Sequence, residues 1–176
     1  VTSVGIAISM YMGLRIGEVC ALQWKEIDLE KRVLTVSKTI QRVQCRTGSK
    51  QTKLIITEPK SESSKRTIPI PDCLLPLLRR FKDNGEVYVV SGRKKPVEPR
   101  TMQYRFAKIL HNADLPSFHY HSLRHLFATR CVELGFDVKT LSEILGHSSV
   151  EVTLNRYIHS DMERKRTCMS LLSKCA

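Results

Sequence analysis

No stretch of about 18 apolar residues runs anywhere in this 176-residue chain, so the sequence offers no candidate for a membrane-spanning helix. It also lacks a concentrated polybasic tail beside an amphipathic anchor, which sets membrane-surface binding aside. Eight glycines and seven prolines are too few for a collagenous or low-complexity chain. Six cysteines occur, Cys20, Cys45, Cys73, Cys131, Cys168 and Cys175, but no Cys-x-x-Cys pair, and their gaps are irregular. Reduced thiols in a cytoplasmic protein are therefore expected rather than a disulfide framework. His119, His121 and His125 have no cysteine or carboxylate at ligand spacing, and His-Glu-x-x-His is absent, so neither a metal nor another cofactor is expected. The remaining deficit is acid: 17 Asp and Glu stand against 29 Lys and Arg, a net charge of +12. Such an excess favours polyanionic partners, nucleic acid first.

What is present suits a globular fold. Hydrophobic residues make up 41% and charged residues 26%, enough for one domain with a real core. The chain opens at Val1 inside an apolar-periodic run, which suggests a piece of a longer protein whose N-terminal part is not in view. Periodicity predicts a helix over Val1 to Tyr11, a break at Gly13 and a second helical segment to about Trp24. β-Branched residues then predict a strand from Arg32 to Val43 and another from Lys53 to Thr57, joined around Gly48, with a third from Thr67 to Ile70. Helices are expected over Asp72 to Lys82, Pro99 to Ala113, Ser122 to Leu134, Val138 to Leu145 and Ser149 to His159. The tail, residues 162–176, reads as a further helix. The expected class is α+β, mainly helical, with a small three-stranded antiparallel sheet packed on a helical core.

Three places put basic residues where packing alone does not ask for them. In Gly13-Leu14-Arg15-Ile16-Gly17-Glu18, Arg15 opens a helix between two glycines that permit close approach of a ligand, and Glu18 lies one turn on. An exposed ion pair would account for the same residues. In His121-Ser122-Leu123-Arg124-His125, a spacing of three brings an imidazole and a guanidinium to one face, suited to an anionic oxygen pair. A solvated helix face is the competing account. The third place is Leu145-Gly146-His147-Ser148-Ser149, followed by Arg156-Tyr157. A tyrosine is ordinarily a packing residue. It becomes a nucleophile only where cations stabilise the charge that develops on the group it attacks.

Taken in order, GLRIGE, a lysine between strands, HSLRH, LGHSS and NRY resemble the catalytic domain of tyrosine recombinases, the phage and mobile-element integrases. The resemblance implies that Arg15 and Arg124 grip a scissile DNA phosphate while His121 and His147 contact its non-bridging oxygens and assist proton movement. Lys60, in Pro59-Lys60-Ser61, would protonate the leaving 5′ oxygen, with Lys53 and Lys65 as nearby competitors. Tyr157 would be the nucleophile, forming a 3′-phosphotyrosyl bond, and Glu18 the acidic partner of the active-site arginine. Ser122 departs from the pattern, since an aspartate is frequent there in the family.

The same resemblance implies double-stranded DNA as partner, a homotetramer on DNA, a monomer or weak oligomer when isolated, and exchange of residues 162–176 between protomers as one fate of the tail. It treats residues 1–176 as one catalytic domain, with the DNA-binding N-terminal part outside the chain. Arg42, Lys53, Lys65, Arg66, Lys94 and Arg105 are expected to contact the DNA backbone, giving affinity without sequence discrimination. Two rivals remain: a type IB topoisomerase-like nicking enzyme with the same chemistry, and a non-catalytic helix-turn-helix regulator using residues 138–157.

Overall fold

The computed structural model describes residues 1–44, 52–58, 62–83 and 85–157, with residues 166, 169 and 170 singly; for residue 62 and residues 155–157 the backbone alone is described. Lys60, the turn around Gly48 and, apart from residues 166, 169 and 170, the tail helix expected over 162–176 lie outside the described residues.

Helix α1, Thr2–Met12, buries one face: Val4, Ile8 and Met12, spaced four apart, are all buried, while Tyr11 is exposed. It ends where Gly13 takes a left-handed conformation, φ 69°, and its N–H returns to Ser9 O at 3.0 Å. Helix α2, Ile16–Ala21, follows at once, with Arg15 as its extended N-cap residue.

The β region differs from the expected layout. The run from Arg32 to Val43 is not one strand but two, broken at Ser37 and Lys38. Strands β1 (Ile27–Asp28) and β2 (Val33–Val36) pair antiparallel, and β5 (Arg66–Pro69) returns to the other edge of β2, giving a three-stranded sheet in the order β1-β2-β5. Strands β3 (Thr39–Gln44) and β4 (Thr52–Thr57) form a separate antiparallel hairpin. Burial explains the split. Leu34, Val36 and Ile68 alternate into the core, whereas beyond Ile40 the hairpin residues are half-buried or exposed. β-Branched content announces extended backbone in both halves, but it does not say which strand each half will pair with.

The rest is helical and close to expectation: α3 (Leu75–Phe81) after a 3-10 turn at Asp72–Leu74, α4 (Pro99–Asn112), α5 (Ser122–Glu133), α6 (Val138–Leu145) and α7 (Val150–Tyr157). Proline at the first position opens α4, where its missing N–H costs nothing. Asp137 caps α6 by accepting from Thr140 N–H at 2.8 Å.

The main core joins α1, α2, the three-stranded sheet, α3 and α4 through Ile8, Val19, Leu34, Leu78 and Met102. A smaller cluster of Ala128, Cys131, Val132, Leu141 and Leu145 locks α6 onto α5. Leu141 and Leu145 are completely buried, each contributing on the order of 2 kcal/mol, so the C-terminal end of α6 is held firmly. The candidate site is built around that end. No helix among the described residues is long and apolar enough to cross a membrane.

Candidate active site

A helix leaves its last carbonyls without intrahelical partners and carries partial negative charge at that end. At the end of α6 these carbonyls are met by arginines from three distant parts of the chain. Arg66 Nε donates to Ile144 O at 2.6 Å, Arg124 Nη2 to Leu145 O at 2.8 Å and Arg15 Nη2 to Gly146 O at 3.0 Å. Three successive peptide oxygens thus collect three guanidinium groups beside the turn that carries His147.

Gly146 makes the turn possible. It adopts φ 65°, and a β-carbon there would come within 2.9 Å of Arg66 Nη1 and 3.0 Å of Ser63 O. His147 follows, its N–H returning to Ser142 O at 3.1 Å. The His147 Nδ1 shares a hydrogen bond of 2.8 Å with Thr153 Oγ1, and Thr153 is fully buried in α7. That bond orients the imidazole whichever group donates. Tyr157 lies four positions, about one turn, further along α7.

Glu18 organises the arginines. Its carboxylate accepts from Arg15 N–H and Arg15 Nη1, both at 2.8 Å, closing a capping box at the start of α2. It also accepts from Arg66 Nη1 at 3.1 Å and Nη2 at 2.9 Å. Burial alone pushes the Glu18 carboxyl up, but the Arg66 hydrogen bonds and charge, with the Arg15 charge, outweigh it and hold the group below its usual range. Glu18 therefore stays ionised against a buried cation.

Arg15 and Arg124 both reach the end of α6, but their settings differ. The Arg15 side chain is partly exposed, at 38%. Arg124 is buried and bridges Gly13 O, from Nη1 at 2.8 Å, to Leu145 O. His121 is exposed at the N-cap of α5, its ring 4.7 Å edge-on from that of His125.

Two expectations need correction. Arg66 is not a surface cation for the DNA backbone: its side chain is 6% exposed, opposite the buried Val36 in the sheet, with its donors turned to Glu18, Ser64 O and Ile144 O. The glycines flanking Arg15 do not open space for a ligand. They admit the fold itself, since a β-carbon on Gly13 would lie 2.5 Å from the Phe127 ring and one on Gly17 2.6 Å from Ile40 O. The other basic candidates are exposed. Arg42 Nε pairs with Glu98 at 2.6 Å, Lys65 with Glu58 at 2.6 Å, and Arg105 Nη1 donates to Thr2 Oγ1 at 3.3 Å; Lys53 and Lys94 lie on the surface.

Thr153 has no signal in the sequence, because nothing about a threonine six positions after a histidine marks it as a partner. Arg66 carried a readable signal: it shares the inward parity of Ile68 in an alternating strand. Among the other tyrosines, Tyr120 is unsuited to nucleophilic work. Its hydroxyl is buried, donates to Gly5 O at 3.2 Å, hydrogen-bonds Ser9 Oγ at 2.8 Å, and is pushed well above its ordinary range by that burial. Among the described residues no cluster of three His, Cys, Asp or Glu side chains could hold a metal ion.

The chain is 33% identical over 180 residues to a XerC-like tyrosine recombinase of Caldanaerobacter subterraneus, covering 92% of this chain and 46% of that protein. It is 28% identical over 165 residues to the ICEBs1 integrase of Bacillus subtilis, covering 86% and 43% respectively. The chain spans about half the length of the curated relatives it matches. Among solved structures, the Tn1549 transposon integrase in complex with circular intermediate DNA superposes with a TM-score of 0.73 at 30% identity, covering 96% of this chain and 59% of that one. The model of the phage integrase family matches residues 3–164, and the chain belongs to that family.

Proposed function

We propose that this chain is the catalytic domain of a site-specific DNA recombinase that integrates or excises a mobile element by cleaving and rejoining strands through a covalent 3′-phosphotyrosyl intermediate. The observation that carries the reading is the convergence of Arg15 and Arg124 on adjacent carbonyls of the turn that bears His147, with Tyr157 on the next helix. The relatives named as recombinases and integrases, one of them solved on transposon DNA, support double-stranded DNA as the substrate.

In this reading a scissile phosphate enters beside Arg15 and Arg124, whose guanidinium groups match its non-bridging oxygens and stabilise the charge of the pentacoordinate transition state. The Tyr157 phenolic oxygen attacks phosphorus and its proton leaves through the imidazoles of His121 and His147. The bond from phosphorus to the 5′ oxygen breaks, and that oxygen takes a proton from Lys60. Attack by a 5′ hydroxyl of another strand reverses these steps, so the phosphoester bond is conserved and neither ATP nor a metal is needed. The role of Lys60 rests on the resemblance to the family alone. Assembly as a tetramer on DNA and exchange of residues 162–176 between protomers belong to the same proposal. A regulator built on α6 and α7 would give no role to the partly exposed Arg15 guanidinium held at their junction.

The test is covalent capture on a pool of nicked duplexes with randomised sequence, recovering DNA that stays attached after denaturation. Attachment that survives EDTA, persists in Tyr104→Phe and disappears in Tyr157→Phe is the expected result. Reversible binding without attachment would overturn the reading, and supercoil relaxation without recombinant strands would redirect it to a topoisomerase-like enzyme.

A further inference from the structure

Arg66 is the least expected of the three arginines at the end of α6. It lies on strand β5, with a side chain only 6% exposed, and it joins three separate parts of the site at once. Nη1 and Nη2 span both oxygens of Glu18, at 3.1 and 2.9 Å. Nε donates to Ile144 O at 2.6 Å, and Nη1 also to Ser64 O at 3.1 Å, four residues after Lys60. A charge this deep is costly unless its donors are matched by well-placed acceptors. Here one anion and two carbonyls supply them.

The consequence reaches Arg15. Glu18 is shared: each of its oxygens accepts from both arginines, so the position of the carboxylate is set from the Arg66 side and imposed on Arg15. Arg66 also holds the α6 turn at Ile144, two residues before the Gly146 carbonyl on which Arg15 rests. Both anchors of the Arg15 guanidinium thus depend on one buried side chain that faces away from solvent. The same guanidinium ties the segment following Lys60 to the turn that precedes His147.

We infer that Arg66 is a positioning residue for strand cleavage, fixing the Arg15 guanidinium and the turn that bears His147 relative to one another through Glu18 and Ile144 O. The inference rests on the recombinase reading above. A residue that acts through Arg15 contributes by placing positive charge against the transition state, where a displacement of about 1 Å costs on the order of 100-fold in rate. Lysine cannot replace it, because a single ammonium cannot span two carboxylate oxygens and a carbonyl in a planar fork.

The experiment measures the rate of covalent attachment at saturating DNA, using a nicked duplex of the sequence recovered from the randomised pool. A second duplex carries a neutral methylphosphonate at the scissile position. Removing one negative oxygen lowers the demand for the Arg15 charge without altering the nucleophile or the leaving group. Arg66→Met and Arg66→Lys are each expected to attach about 100-fold more slowly on phosphate, with DNA affinity changed less than about threefold, and to recover most of that loss on methylphosphonate. Combining either with Arg15→Ala should add little to the loss from Arg15→Ala alone. Circular dichroism checks folding, and the lysine variant, which retains the buried positive charge, serves where the methionine variant melts. Equal losses on the two duplexes, additive losses in the double variant, or a full rate in folded Arg66→Lys would overturn the inference. Failure of the unsubstituted protein to attach at all would instead overturn the recombinase reading.

Discussion

Arg15 and Arg124 end on adjacent oxygens of one turn, Arg15 Nη2 on Gly146 at 3.0 Å and Arg124 Nη2 on Leu145 at 2.8 Å. Two guanidinium groups repel one another, and holding them together before an anion arrives needs negative charge nearby. The end of α6 supplies it as unpaired carbonyls with the helix dipole behind them, and Glu18 supplies the rest. The cations are therefore gathered in advance of any bound anion.

Arg124 holds the fold as well as the site. It is buried, and it bridges the carbonyl that ends α1 to the carbonyl that ends α6. Arg124→Met is expected to keep the volume of the side-chain stem while leaving the Gly13 and Leu145 carbonyls without these donors. The cost should be about 2 to 4 kcal/mol, read as a lower urea midpoint with an unchanged slope. Exposed Lys94→Met, by contrast, should change stability by less than about 0.5 kcal/mol.

Glu18 predicts an acid limb. Its folded carboxyl titrates below the ordinary value of 4.5, so the unfolded chain takes up the proton first as pH falls. The stability it contributes is fully present above the unfolded value and is lost as pH drops through the folded one. Glu18→Gln removes that titration and leaves Arg66 buried without its anion, at a cost of about 3 kcal/mol near neutral pH. Urea midpoints at pH 7, 5, 4 and 3 should show the gap between wild type and Glu18→Gln constant down to about pH 5 and then closing. A gap that stays constant to pH 3 would mean that Glu18 is not held ionised by its arginines.

The helices of this fold were legible because caps and periodicity are local: Asp137, Pro99 and Gly146 stand where the sequence says α6 begins, α4 begins and α6 ends. The sheet was only partly legible. Pairing of β2 with β5 across the hairpin depends on which residues reach the core, and that is decided by helices elsewhere in the chain. Within the site, Arg15, Arg124 and His147 could be picked out by motif, whereas the role of Arg66 could not. Its charge suggested a surface, and only the strand parity shared with Ile68 pointed inward.

Gly17 shows how a motif glycine can be misread. It stands in GLRIGE as if to admit a ligand, yet a β-carbon there would meet Ile40 O at 2.6 Å and Thr39 Oγ1 at 2.6 Å. Backbone cannot yield as a side chain can, so Gly17→Ala should push α2 away from β3 at a cost of about 1 to 3 kcal/mol. The Gly135 position has a different liability. Nothing lies within 4 Å of its added carbon, but φ is 81°, so Gly135→Ala should cost about 1 kcal/mol by backbone strain alone. The discriminating measurement is attachment rate in the folded proteins: Gly17→Ala should slow it because α2 carries Arg15 and Glu18, and Gly135→Ala should leave it unchanged.

Thr153 is the partner of His147, and the pair can be separated without opening a cavity. Valine has nearly the shape of threonine but cannot share the 2.8 Å hydrogen bond with Nδ1, and Thr153 itself is fully buried. Thr153→Val should cost about 1 kcal/mol of stability. Attachment at saturating DNA should slow by about 10-fold or more, because the imidazole loses the contact that fixes its plane and the state of its other nitrogen. Thr153→Ser restores the hydroxyl and should recover most of the rate, although the lost methyl makes it the less stable of the two variants. A pH profile sharpens the test. If His147 moves a proton through a nitrogen set by Thr153, the profile for Thr153→Val should be displaced along the pH axis and that for Thr153→Ser should overlay wild type. Identical profiles for all three proteins would reduce Thr153 to a packing residue.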